Sequence, residues 1–162
     1  MNKLSKFILI FVSAISLLLS TSVVSLAKVV GDKIVLGAAV SLTGKYSSNG
    51  VHTQNGYNMA VERINSMGGI KVGGKTYKFE IIYYDDESNS KRAAQLAERL
   101  ISQDGVEFML GPYSSGLTKA MAPVTEKYGV PMVEANGASR SLFTKGYKYL
   151  FAVLAPANLY LD

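Results

Sequence analysis

The stretch Lys33–Leu42, KIVLGAAVSL, is apolar almost without interruption. A strand with one face in water alternates polar and apolar residues. One covered on both faces does not, so this run reads as an interior strand of a parallel sheet. It feeds Thr43–Gly50 (TGKYSSNG), a segment of turn formers, and then Val51–Met67. There Gly56, Ala60, Ile64 and Met67 recur at spacings of 4, 4 and 3, which predicts one buried helical stripe. Gly68-Gly69 closes that helix, as glycines past a last turn commonly do.

The same alternation continues along the chain. Gly73-Gly74 predicts a tight turn between Ile70–Val72 and a long strand, Thr76–Asp85 (TYKFEIIYYD). Ser90–Gln103 places Ala93, Leu96, Ala97, Leu100 and Ile101 on one helical face, and Asp104-Gly105 ends it. Val106–Leu110 is read as a short strand and Gly111–Gly116 (GPYSSG) as a loop. A third helix carries Leu117, Met121, Val124 and Tyr128, with Pro123 expected to start or kink it and Gly129 to stop it. Val130–Glu134 is a strand, Ala135–Arg140 (ANGASR) a loop and Tyr149–Leu154 a last strand. This order predicts an α/β fold, a parallel sheet with helices on both faces.

Composition narrows the function. The 162 residues are 48% hydrophobic and 18% charged, with a formal charge of +5, which is globular rather than disordered. Cysteine is absent, which removes disulfides, thiolate metal sites, a cysteine nucleophile and an acylated-cysteine lipid anchor. His52 is the single histidine, so no metal centre of the usual nitrogen and sulfur type is expected, and no cofactor. Basic residues are scattered rather than striped with aromatics, so no nucleic-acid partner is expected.

Residues 1–27 read as a cleaved signal peptide. Lys3 and Lys6 precede an apolar run, Phe7–Leu19, and Ser25-Leu26-Ala27 offers small residues at the cleavage positions. Serines and threonines interrupt the run too early for a membrane-spanning helix, which needs about 20 apolar residues. The expected product is residues 28–162, located in a periplasm-like compartment.

In an open parallel sheet, ligands bind beyond the carboxyl ends of the strands. Thr43–Gly50, Gly111–Gly116 and Ala135–Arg140 leave such ends. They offer hydroxyls, amides and backbone N–H groups, but no histidine, paired carboxylate or lysine beside a serine. Binding without catalysis is the expectation. Ser114 and Ser115 are read as caps or hydrogen-bond donors, since nothing visible would activate them as nucleophiles. Asp85-Asp86-Glu87 has the carboxylates that a hard cation wants. The favoured reading is a polar strand end leading into a helix cap at Ser88-Asn89-Ser90. Gly69–Thr76 (GIKVGGKT) matches the phosphate-loop pattern letter for letter, which would make a nucleotide hydrolase. Such a loop must leave a strand and open a helix; this one leaves a helix and enters a strand.

Five short motifs, in register, carry a family resemblance. They are Ser41-Leu42-Thr43-Gly44, Gly68-Gly69-Ile70, Tyr84-Asp85-Asp86, Leu110-Gly111-Pro112-Tyr113-Ser114-Ser115 and Gly129-Val130-Pro131. With the signal peptide, the chain from Lys33 to about Asp162 resembles the branched-chain amino-acid-binding proteins of ABC transporters, the type I periplasmic solute-binding family. The resemblance implies a periplasmic-binding-protein-like type I fold in which two lobes close on a small-molecule ligand that is then passed to a membrane permease. It implies that 28–162 supply the N-terminal part of the ligand-binding domain, without the second lobe. It also assigns roles. Ser115, with Ser114 and Tyr113 beside it, falls where the family's serine holds the ligand carboxylate. Asn136 falls where a backbone carbonyl is used, and Ala138 where a threonine hydroxyl is used. Ala138 has no hydroxyl, so either Ser139 substitutes or the ligand differs, and a branched-chain amino acid and a related amino acid or amide both stay open. Asn49 falls at the first loop's ligand-facing position, where an aromatic residue can occur; Tyr46 is the nearby ring. The same fold also serves extracellular ligand-sensing receptors, which remain the alternative.

Overall fold

The computed structural model describes residues 29–160, so the signal segment lies outside the described residues. The strands are β1 (Val29–Val30), β2 (Lys33–Val40), β3 (Ile70–Val72), β4 (Lys75–Asp85), β5 (Met109–Leu110), β6 (Met132–Glu134) and β7 (Leu150–Ala152). Three helices, α1 (Ser47–Ser66), α2 (Ser90–Ser102) and α3 (Ser115–Tyr128), connect them, with short 3-10 turns at Arg140–Leu142 and Ala157–Leu159.

The sheet order is β3-β4-β2-β5-β6-β7. β2 pairs in parallel with β4 on one side and β5 on the other, and β6 and β7 continue in parallel. β1 on β2 and β3 on β4 are antiparallel additions. The parallel strands in chain order therefore lie second, first, third, fourth, fifth across the sheet. That doubly wound order reverses direction between β2 and β5.

β2 shows why the opening run has no alternation. Val35 and Ala39 point into a core with Ala93, Leu96, Ala97 and Leu100 of α2, joined by Met109, Met121 and Met132. The alternate residues Ile34 and Leu36 pair with Phe79 and Ile81 of β4 on the opposite face, where α1 lies. Each fully buried Leu or Met contributes about 1.5–3 kcal/mol, so cohesion is concentrated on the α2–α3 side. α2 begins as expected: the Asn89 side chain accepts the Arg92 N–H at 3.0 Å, and the apolar stripe faces inward.

Several expectations need correction. α1 starts at Ser47 rather than Val51, and its buried residues are Gly50 and Thr53. The stripe read from Gly56, Ala60, Ile64 and Met67 is not its inner face: Met67 is 68% exposed, and Gly56 and Ala60 are exposed too. Hydrogen bonds set the docking instead. Asn65 pairs with both the N–H and the carbonyl of Phe79, each at 2.8 Å, and Tyr83 donates to Asn58 at 2.8 Å. Pro123 does not start α3 but sits inside it, and Ser115 and Gly116 belong to that helix rather than to a loop. The strands expected at Val106–Leu110, Val130–Glu134 and Tyr149–Leu154 shorten to Met109–Leu110, Met132–Glu134 and Leu150–Ala152. The phosphate-loop lookalike is a hairpin: Gly73 and Gly74, at φ +57° and +81°, turn β3 into β4.

Candidate functional site

The loops after β2 and β5 leave the sheet toward opposite faces, α1 and α3, and open a crevice where the strand order reverses. The first loop is pinned by two carboxylates at the end of β4. Asp85 accepts the N–H groups of Leu42 (2.9 Å) and Thr43 (3.2 Å) and the Thr43 hydroxyl (2.7 Å). Asp86, wholly buried, accepts the Ser41 hydroxyl at 2.6 Å. Ser88 donates its hydroxyl to the Thr43 carbonyl and accepts the Tyr46 N–H. The favoured strand-end reading of 85–87 therefore extends further, because Asp85 and Asp86 also fix the loop after β2. Among the described residues no cluster of three or more metal-type ligands occurs.

The two neighbouring acids titrate in opposite directions. Burial pushes Asp85 up, but the bonds from the Thr43 hydroxyl and from the amides of Glu87, Thr43 and Leu42 outweigh it and hold the carboxyl below its ordinary value. Burial dominates at Asp86 and raises it, against the bonds from Ser41 and Ser88.

The second loop presents Tyr113 edge-on to Tyr46, with ring centroids 5.6 Å apart at 63°. Ser114 follows at φ +83°, a backbone region that costs a non-glycine residue about 1–3 kcal/mol. From there its hydroxyl oxygen faces the Leu117 N–H at 3.4 Å as the cap of α3. Ser115 is the first helical residue, where unpaired N–H groups and the helix dipole favour an anion. The third loop crosses to it: the Ser139 N–H donates to Ser115 Oγ at 3.1 Å. The Ser115 hydroxyl thus accepts from the protein and keeps its own hydrogen to donate.

A cleft of about 380 Å³ lies beside these loops, lined by Asn49, His52, Thr53, Tyr57, Tyr113 and Asn136 among others. Of the sequence-predicted residues, Asn49, Tyr113 and Asn136 share this cleft, and Tyr46 joins through its contact with Tyr113. Ser114, Ser115 and Ser139 form an adjacent cluster that does not line it. The Ser139 hydroxyl is 2.9 Å from that of Ser141, and Ala138 presents its carbonyl to the Ala157 N–H at 2.8 Å.

Thr53 and Tyr57 are not singled out by the sequence, because a helix begun at Val51 leaves Asn49 in a loop; His52, read as an exposed helix-start residue, is exposed on α1 and also lines the cleft. Once α1 starts at Ser47, Asn49, Thr53 and Tyr57 follow at helical spacing. The Tyr57 hydroxyl donates to the Gly111 carbonyl at 2.7 Å and so ties α1 to the second loop. Burial first, and then the charges of Glu134 and Tyr83, push its phenol far up; burial likewise pushes Tyr83 up to about 12.

Comparison with known proteins agrees with this geometry. The periplasmic binding protein family profile matches residues 33–158. The leucine-, isoleucine-, valine-, threonine- and alanine-binding protein of Pseudomonas aeruginosa is 29% identical over 128 residues, 79% of this chain and 33% of the relative. The leucine-specific-binding protein of Salmonella typhimurium is 29% identical over 74% of this chain and 31% of its own length. Among solved structures, the branched-chain amino acid transporter substrate-binding protein LivJ of Streptococcus pneumoniae, in complex with isoleucine, superposes with a TM-score of 0.69 at 32% identity. That match covers 76% of this chain and 34% of that one, so the chain spans about a third of the length of its relatives. The chain belongs to the periplasmic binding protein family, and its relatives include that family's branched-chain amino-acid-binding members.

Proposed function

We propose that this chain belongs to the exported solute-binding subunit of an ABC importer, with residues 1–27 removed on export, and that it captures an amino acid or a close amide relative for a membrane permease. The ligand's carboxylate is met by the Ser115 hydroxyl and the first N–H groups of α3. Tyr46 and Tyr113 flank the side chain, and the cleft from Asn49 to Asn136 receives the remainder. The Asn136 backbone carbonyl is the acceptor for the ligand's ammonium.

The observation that carries this reading is the Ser139 N–H donating to Ser115 Oγ. It orients the hydroxyl so that its single hydrogen remains for an incoming anion, at the end of a helix that favours one. Ser115 Oγ is bonded to a backbone N–H and not to a base, which suits capture without chemistry.

The test is calorimetry on the exported protein with leucine, isoleucine, valine, threonine, alanine and their amides. Ser115→Ala removes a hydrogen bond to a charged group, worth about 1.5–3 kcal/mol, so affinity should fall about tenfold or more. Unchanged affinity in that variant contradicts the assignment.

A further inference from the structure

Glu134 ends β6 and is wholly shielded from solvent. The ion pairs of the described residues involve Glu80, Glu87 and Glu98, and no lysine or arginine pairs with Glu134. Its Oε1 receives the N–H groups of Asn136 and Gly137, and its Oε2 meets the Thr118 hydroxyl. Thr118 Oγ1 also lies 2.9 Å from the Ser114 carbonyl, one turn earlier.

A hydroxyl has one hydrogen. Where Thr118 gives it to Ser114, in the usual bond back to the residue four earlier, the hydrogen between Thr118 and Oε2 must come from Glu134. The neutral acid then satisfies every group: Oε1 takes two N–H donors, Oε2–H donates to Thr118, and Thr118 donates to the Ser114 carbonyl. The ionised form would draw the Thr118 hydrogen to itself, leaving the Ser114 carbonyl with the Thr118 N–H alone, and would hold a buried charge with no lysine or arginine paired to it, a costly state. Burial, the dominant influence, does push Glu134 above the ordinary value of 4.5, against the bonds from Thr118, Asn136 and Gly137.

The acid also lies where the site's segments cross. A Cβ on Gly111 would stand 2.5 Å from Oε2, and one on Gly137 would stand 3.0 Å from both the Glu134 carboxyl carbon and Thr118 Oγ1. One carboxyl therefore touches the loop after β5, the loop carrying Asn136 and Ser139, and the first turn of α3. Thr118 from α3, Gly111 after β5 and Leu142 beside Gly137 bring no titratable group toward it. Tyr57 of α1, bonded to the Gly111 carbonyl, is the titratable group that senses its charge.

We propose that Glu134 is a positioning residue held as a neutral acid, and that it makes capture of a carboxylate-bearing ligand depend on pH. This rests on the amino-acid-binding reading above. In the neutral state the turn at Ser114 and Ser115 has no negative charge beneath it. Once ionised, Glu134 opposes the ligand's carboxylate and pulls Thr118 off Ser114. Proton and ligand thus favour each other's binding. Affinity is full at low pH and falls as pH rises through the titration of Glu134, by up to about tenfold per pH unit.

The experiment uses the exported protein, with leucine as the probe, titrated calorimetrically from mildly acidic to mildly alkaline pH. The carboxyl carbon of Glu134 is followed in parallel by carbon-13 NMR. Wild type should lose affinity as pH rises. E134Q keeps an uncharged acceptor and a donor in place, and should hold the low-pH affinity throughout. The carbon signal should stay that of a protonated acid above 4.5, the ordinary glutamate value. An E134Q pH profile equal to that of wild type overturns the proposal, as does a carbon signal titrating at the ordinary value. If leucine fails to bind wild type at any pH, the amino-acid reading falls and the pH coupling with it, while the carbon signal still decides the charge of Glu134.

Discussion

The two faces of the sheet are held by different physics. Toward α2 and α3, Val35, Ala39, Met109 and Met132 meet Leu96, Leu100, Leu117 and Met121 in an apolar layer closed to water. Toward α1, the residues that bury the helix are Gly50 and Thr53, and docking runs through Asn65, Asn58 and Tyr57 hydrogen bonds. Among the described residues the rest of that face is uncovered: Phe108 is 41% exposed, Val133 39% and Phe151 52%. Hydrophobic burial thus supplies the cohesion on one side. On the other, hydrogen bonds and close backbone approach set the position of the helix that walls the cleft.

That contrast predicts asymmetric sensitivity. Leu100→Ala, at a fully buried position, should cost about 2–5 kcal/mol in denaturant melts. The matching truncation Phe108→Ala on the open face of the described residues should cost less than about 1 kcal/mol, as at other exposed positions. Equal losses would break the comparison.

Gly50→Ala probes the α1 side. A Cβ there would overlap the Ser41 carbonyl oxygen, so α1 must shift. The expected cost is about 1–3 kcal/mol, with a loss of ligand affinity because Asn49 and Thr53 move with the helix. A variant with wild-type stability and affinity would show that α1 is not held by this contact.

The smallest expected effect separates the two acids at the end of β4. Asp85 is held below its ordinary value of 3.8, so its contribution is present above that value and is lost as pH falls through the depressed one. The stability gap between wild type and Asp85→Asn should therefore be widest near neutrality and close in acid. Asp86 is raised, so its contribution is complete below 3.8 and is lost as pH rises through the raised value. Asp86→Asn should show the opposite trend. Melts with parallel slopes for the two variants would contradict the assigned causes.

The packed face was legible in the sequence and the hydrogen-bonded one was not. KIVLGAAVSL announces burial on both sides because apolar letters on a strand have few other uses. Ala93, Leu96, Ala97 and Leu100 likewise mark the inner face of α2 correctly. The α1 stripe misled because Gly56, Ala60 and Met67, the residue after the helix, are exposed, while its docking residues Asn65 and Tyr57 are polar and their partners lie elsewhere in the chain. β5 reads longer than it is because Val106 and Phe108 are apolar, yet the ladder registers only Met109 and Leu110 against Gly37 and Ala38. In the proposed site, Ser115 and Asn136 are assigned through the family resemblance. Glu134 was not, since an acid at a strand end looks like a solvated one until the fold brings Thr118, Gly111 and Gly137 around it.

The most direct test of the account is a crystal structure of the exported protein grown with leucine. The account predicts the ligand carboxylate within hydrogen-bond distance of Ser115 Oγ and the first amides of α3, with Tyr46 and Tyr113 beside the side chain. A carboxylate seated away from Ser115, for example against His52, would contradict it.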